Sequence, residues 1–452
     1  MYAALQARRA EAGGGTDGTR TDSLELTLAE RAILEGEHGE ARRKAMACVV
    51  EYGRVFGARR LVEIEGAPHL VTSFGTGAMK PFFAMLDELI AAGVRSERPF
   101  TVNPRPVDHA NVRYGLADRA ALRLLYGKQK AYEAQLAGLG LRDTDAFTCT
   151  CYLPEVGNTP PRGAVLAWSE SSAVVFANSV LGARTNRNAA GIDLLCNVLG
   201  KAPLFGLLTE AGRRATWLVE VRTSSLPEAQ LLGSAIGQRV VDGVPYITGL
   251  DRWLGPADDD ATVAYLKDMG AAAASNGAVG LFHVEGVTPE ALDAGRALVA
   301  DAPGRYVVDD EELARVLRAY PVMWARLDAA PRQCFIGCPH LTSGQLEGWT
   351  ERILDALRQA GRARLKVEAY LCAAPQVHEA FRRRGTTHAA ALRAGLRFTS
   401  LCPLMFMSNP LARKRAVVTD SAKLRTYTTA RYFLADDLLP VLVYGDVGAV
   451  AP

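Results

Sequence analysis

Residues 166–187 read LAWSESSAVVFANSVLGARTNR. Ser169, Ser171, Ser172, Asn178, Ser179, Thr185 and Asn186 stand among Ala, Val, Leu and Phe, with a single acid, Glu170, and two arginines, Arg184 and Arg187. A surface loop would carry more Lys and Glu. A plain core segment would omit the hydroxyls, because a buried one without a partner costs about 1–3 kcal/mol. The composition points instead to the wall of a pocket that holds a small polar ligand. Gly182, Asn186 and Arg187 read as a loop bringing backbone close to that ligand, and Arg187 can take a carboxylate through two parallel hydrogen bonds. For any one of these residues a helix cap or a turn closure explains the side chain equally well. For the cluster as a whole the pocket is the better explanation.

Outward from this stretch the chain alternates strand-like and helix-like segments. Thr27 followed by Glu30 is a capping box, with Gly36 and Gly39 separating two helices. RRLVEIEG reads as a strand, MKPFFAMLDELIAAGV as an amphipathic helix and RPFTVNPRPVD as a second strand, the order of a parallel α/β sheet. ATWLVEVRT, AVGLFHVEG and PRQCFIGCPH are strand-like; TPEALDAGRALVAD, DEELARVLRAYPVMW and GQLEGWTERILDALRQAG are helix-like. In such sheets functional residues gather beyond the carboxyl ends of strands, which singles out Asn103 in TVNP, His283 in HVEG, the IGCPH turn and TSLCP, with His69 in EGAPHL at another strand end.

With 452 residues the chain is too long for one ordinary core, so two or three lobes are expected. The net charge of +3 argues against a nucleic-acid surface. No apolar run is long enough to cross a bilayer. The first 24 residues, rich in Gly, Thr, Asp and Arg and without the apolar core of a secretion signal, read as a flexible tail. A cytoplasmic protein is expected, and with it eight cysteines that are not disulfides.

Three of those cysteines, Cys149 in FTCTCYLP, Cys338 in IGCPH and Cys402 in TSLCPL, follow apolar stretches and are flanked by Pro or small polar residues. Three thiolates without a C-x-x-C pair could hold three irons of a cluster and leave another position open, where a Lewis acid could help a hydroxyl leave. Taken one at a time, the wide spacing favours ordinary buried thiols. In TDSAKLRTY, Ser421 and Lys423 could accept a proton or bind an anion, although a solvated basic turn reads as well. His340, two residues from Cys338, joins them as a candidate for the catalytic machinery or for a place beside a metal ligand.

Taken together, LTLAERAILEGEHGEARRKAM, CTCYLPEVGNTPPRG, AWSESSAVVFANSVLGARTNR, LFHVEGVTPEAL, IGCPHLTSGQLEGW and TDSAK resemble the large catalytic module of the aconitase X family. The resemblance runs from about residue 25 to residue 430 and leaves 431–452 as a divergent segment. It implies an aconitase-like, multi-lobed, three-layer α/β fold with largely parallel sheets. It also implies an iron–sulfur hydro-lyase with Cys149, Cys338 and Cys402 as cluster ligands. Family activities, on cis-3-hydroxy-L-proline and on a mevalonate phosphate, imply a small hydroxy carboxylate as substrate. The family's proton acceptor is a serine on a small swivelling domain, fused or separate. No further stretch of about a hundred residues is available here for that domain, so the expectation is a small partner subunit or an internal base, Ser421. Ser400–Leu401 replaces an Asp-Thr pair, Cys151 replaces a proline and APHL replaces Ala-His-Ile. A single iron or zinc at the same cysteines, giving a lyase or hydrolase, and a non-catalytic metabolite-binding paralogue are the rival readings.

Overall fold

The computed structural model describes residues 24–71 and 79–449. The 1–24 tail therefore lies outside them except for Leu24, which is buried, and so do residues 75–78 of GTGAM. The first described helix starts at the capping box of Thr27 and Glu30. Gly36 closes that first helix, Leu28–Glu35, at φ +95°, a left-handed turn that glycine adopts without strain.

The N-terminal lobe holds four short strands, β1 Leu61–Glu63, β2 His69–Leu70, β3 Thr101–Val102 and β4 Lys201–Pro203. RRLVEIEG does form a strand, but β1 pairs antiparallel with β4. The parallel unit is β2, the helix Lys80–Ala91 and β3. A separate core of Met46, Val49, Leu86, Phe100 and Leu136 closes this lobe.

Two parallel sheets carry the rest. One has the order β7-β6-β5-β8, from β5 Ala215–Val221, β6 Pro245–Thr248, β7 His283–Val284 and β8 Val299–Val308. The expected helix TPEALDAGRALVAD stops at Ala294, and its β-branched end enters β8. The other sheet has the order β11-β10-β9-β12-β13, from β9 Gln333–Leu341, β10 Glu368–Ala373, β11 Leu396–Thr399, β12 Val417–Thr419 and β13 Arg431–Tyr432. On one of its faces Cys334, Ile336 and Ala369 share a core with Leu346 and Ile353 of the helix Ser343–Gln359 and with Leu438 and Val441. On the other, Phe335 and Tyr370 meet Leu122, Tyr126 and Phe406. That is a helix–sheet–helix sandwich, the three-layer α/β arrangement. Within the 431–452 segment, β13 is an edge strand and the helix Ala435–Tyr444 covers the sheet, so these residues are part of the same lobe.

Candidate active site

A cleft of about 530 Å³ opens between the N-terminal lobe and the five-stranded sheet. Cys149, Cys338 and Cys402 all line it, with Asn103, Ser169, Glu170, Ser171, Arg187, His340 and Lys423. Each cysteine arrives by a different local device. Cys149 follows Thr148, whose N–H donates to the Val102 carbonyl at 2.8 Å, and its own Sγ accepts from the His340 backbone N–H at 3.3 Å. Cys402 precedes the short helix Pro403–Met407 and is pinned by its N–H to the Arg105 carbonyl at 2.7 Å.

Cys338 is the most instructive of the three. Strand alternation would place it on the same face as Cys334 and Ile336, yet it lies in the opposite cluster with Phe335. Gly337, at φ +99°, makes the difference, where the β9–β10 register also slips. A Cβ on residue 337 would overlap the Cys372 carbonyl oxygen, so only glycine permits the turn.

Facing the sulfurs is a buried ion pair. Lys423 Nζ donates to Glu170 Oε1 at 2.9 Å and to Ser171 Oγ at 3.3 Å. Glu170 Oε2 accepts from Ser172 Oγ at 2.6 Å and from the Ala173 N–H at 2.7 Å, capping the helix Ser171–Ser179. Burial works to raise the Glu170 pKa, but the Lys423 charge and these hydrogen bonds outweigh it and hold the carboxyl at about 2. Burial works the other way on Lys423, where the Glu170 charge prevails and keeps the ammonium protonated. Burial pushes all three cleft thiols up to about 12, with Lys423 pulling each partly back. Arg187 is exposed at the cleft and donates one hydrogen bond, from NH1 to the Ala274 carbonyl at 3.1 Å.

The other expected site residues do not border the cleft. Asn178 donates to the Thr185 and Gly280 carbonyls and accepts from the Thr185 N–H and Arg213. Ser179 Oγ accepts from the Phe282 N–H, Thr185 Oγ1 from the Trp168 N–H, and Asn186 clamps Phe205 and Leu207. His283 Nε2 donates to the Arg213 carbonyl. These side chains bond to the surrounding fold, and none of them is among the residues that line the cleft. Ser172 serves Glu170. His69 lies beneath Ser169, with Nδ1 2.9 Å from Thr101 Oγ1 and Nε2 unpartnered among the described residues. Ser421 Oγ donates to the Cys338 carbonyl and accepts from the Leu424 N–H at 3.1 Å, so it is a buried cap. His340 Nε2–H donates to the Leu401 carbonyl at 3.2 Å, leaving Nδ1 to accept from Thr148 Oγ1 at 3.0 Å. With both ring nitrogens occupied, His340 ties the Cys149 and Cys402 segments together. Leu401 takes part through its backbone, and Cys151 is fully buried in the large core. Glu170 was absent from the expected set, although its being the lone acid of that stretch was the available signal.

The first domain of aconitase X matches residues 23–211 and the second domain matches residues 215–318. The chain belongs to the aconitase X family. It is 33% identical over 415 residues to a phosphomevalonate dehydratase large subunit of Methanothermobacter thermautotrophicus, covering 89% of this chain and 93% of that one. It is 34% identical over 433 residues to a cis-3-hydroxy-L-proline dehydratase of Pseudomonas aeruginosa, covering 94% of this chain and 69% of that one. The crystal structure of aconitase X from Thermococcus kodakaraensis, in its holo-form, superposes with a TM-score of 0.76 at 28% identity, over 92% of this chain and all of that one. The aconitase-like α/β fold is thereby established, and kinship with dehydratases makes this chain a hydro-lyase. No helix among the described residues is long and apolar enough to cross a membrane.

Proposed function

We propose that this chain is a cytoplasmic iron–sulfur hydro-lyase that dehydrates a small β-hydroxy carboxylate, with Cys149, Cys338 and Cys402 holding the cluster. One observation carries the reading. Three cysteines from distant parts of the chain line one cleft, opposite the exposed guanidinium of Arg187 and the ammonium of Lys423. The donor chemistry fits a cluster. The thiols are too weakly acidic to ionise alone, whereas iron binding takes them as thiolates, and a backbone N–H already points at Cys149 Sγ. Among the described residues no three His, Cys, Asp or Glu side chains converge closely enough for one metal ion. When bound, a cluster with an open iron supplies the Lewis acid that draws off the hydroxyl.

The chain's own part is to bind and orient. Arg187 takes the carboxylate, and charge growing there as the neighbouring carbon loses its proton is stabilised by Arg187 and Lys423. Asn103, Ser169 and Ser171 orient the rest of the molecule. Ser421 and His340 position the Cys338 and Cys402 segments. Because the Ser421 hydroxyl is committed as a cap, the proton acceptor is assigned to a small partner subunit, in keeping with the large-subunit name of the Methanothermobacter relative. The test is anaerobic reconstitution, iron and sulfide analysis, and a screen of β-hydroxy acids and hydroxyprolines. Cys338→Ala should lose iron, and should lose activity by more than the roughly 100-fold that an outer partner of a ligand costs. Retention of iron and turnover in that variant overturns the assignment, and full turnover by the chain alone rules out an obligatory partner.

A further inference from the structure

We infer that the chain carries a second ligand site, a pocket of about 780 Å³ that takes an oligophosphate group, two or more linked phosphates. It shares no lining residue with the cleft and is bordered by Arg397 and Phe398 of the edge strand β11. Four arginines line it, Arg113, Arg119, Arg382 and Arg397, with two histidines, His109 and His388. Among the described residues no Asp or Glu lines it. The whole chain has a net charge of only +3, so four guanidiniums in one pocket are a local concentration. Like charges gathered in this way repel one another and weaken the fold unless an anion joins them.

Two separate stretches supply the cations. Arg113 and Arg119 flank the start of the helix Leu116–Tyr126, are exposed, and form no ion pair among the described residues. Arg382 ends the helix Pro375–Arg382 and meets Glu379 one turn back, a surface pair of little strength. Arg397 stands 3.8 Å from Glu368, beyond hydrogen-bond reach. All four forks can therefore turn to a ligand. One carboxylate occupies one fork. A chain of phosphates offers each fork its own pair of oxygens and has the charge to match several. Rings stand beside the cations: His109 lies edge-on to Tyr114 at 5.3 Å, and His388 lies 5.1 Å from Phe398. Burial and the Arg382 charge lower the His388 pKa, so its ring is neutral at pH 7 and presents a face on which a nucleobase can stack.

The test is calorimetric titration of the full chain at about 0.15 M salt with tripolyphosphate, ATP and citrate, before iron is loaded so that chelation adds no heat. Tripolyphosphate should bind, and the tricarboxylate citrate should bind at least about tenfold more weakly. The double variant Arg113→Gln, Arg119→Gln should keep the parent's denaturant midpoint and lose at least about tenfold in tripolyphosphate affinity, the worth of one charged hydrogen bond. Arg187→Met, in the cleft, should leave that affinity unchanged. ATP binding tighter than tripolyphosphate would identify a nucleotide as the ligand, and equal binding a phosphate chain recognised without a base. Absence of tripolyphosphate binding overturns the inference. So does citrate binding equally well, affinity that survives the double variant, or affinity that falls in Arg187→Met instead. No readout involves turnover, so this pocket and the proposed dehydration stand or fall separately.

Discussion

The two ends of the stretch 169–187 are alike in composition and opposite in use. At the front, Ser169, Glu170 and Ser171 border the cleft; at the back, Asn178, Ser179, Thr185 and Asn186 spend every hydrogen bond on the fold. The helix Ser171–Ser179 between them has nine residues, a length of about 13 Å. Its N-terminus borders the cleft, and polar groups at its far end are out of reach of anything there. The chain then returns, and Arg187 re-enters the site. Hydroxyl-rich, apolar sequence therefore signals buried polar networks in general, and only the direction of the helix sorts ligand-binding groups from structural ones.

Breaking the front end should have the largest effect. Glu170→Ala strands the Lys423 ammonium in a buried site and removes the helix cap, and loss of one partner of a buried pair costs about 3–5 kcal/mol. Denaturant unfolding should show that loss. The double variant Glu170→Gln, Lys423→Met should recover most of it, because removing both charges leaves none unpaired, while dehydration stays abolished. Failure of the double variant to recover stability would mean that the pair's charge is not what makes the front end fragile.

Next in size is Asn178→Ala, which orphans the Thr185 N–H and one bond of the buried Arg213, and frees two carbonyls. A loss of about 2–4 kcal/mol is expected, with turnover by the remaining folded protein unchanged. Arg187→Ala should do the reverse. It lies at the cleft surface, so stability should stay within about 0.5 kcal/mol, while KM rises sharply. If the two variants fail to separate in this way, the division of the stretch into two ends is wrong.

Much of the architecture was legible in the sequence because periodicity and caps are local: Thr27, Gly36 and the apolar faces of the long helices behave as read. Of the three cysteines, Cys402 follows a strand end as read, whereas Cys338 lies within β9 rather than in a loop beyond it. What was not legible depends on distance. Nothing in IGCPH says that Gly337 turns Cys338 away from the face of Cys334 and Ile336. Nothing in TDSAK says that Ser421 caps its helix while Lys423, two residues on, crosses the cleft to Glu170, 253 positions earlier. Nor does the sequence tell that Asn178 and Asn186 bond to the fold, because a satisfied core amide and a ligand-binding amide have the same local sequence.

Acid should sharpen the contrast from beneath the front end. Burial lowers the His69 pKa from 6.5 to about 4, with the Glu170 charge opposing. Between those values the unfolded chain takes up a proton that the folded protein refuses. Its contribution is complete above pH 6.5 and is lost as pH falls towards 4, amounting to about 2 kcal/mol by pH 5. His69→Gln should flatten the stability profile over that window. His340 and His378, lowered in the same sense to about 3 and about 4, will keep some slope.

The smallest effects give the closest comparison. Ser169 Oγ accepts from the Val71 N–H at 2.8 Å, and Ser179 Oγ accepts from the Phe282 N–H at 2.9 Å. Residue type, bond type and length are matched, and only the location differs. Ser179→Ala leaves a buried N–H with no water to replace the lost oxygen, a cost of about 1–3 kcal/mol. Ser169→Ala opens onto the cleft, where solvent can take the freed N–H, so the cost should stay below about 1 kcal/mol. Catalysis should reverse the ranking, with kcat/KM reduced in Ser169→Ala and unchanged in Ser179→Ala. Equal stability losses would mean that the cleft floor is as dry as the core. An unchanged kcat/KM in Ser169→Ala would mean that this hydroxyl, like those at the far end of the helix, serves only the fold.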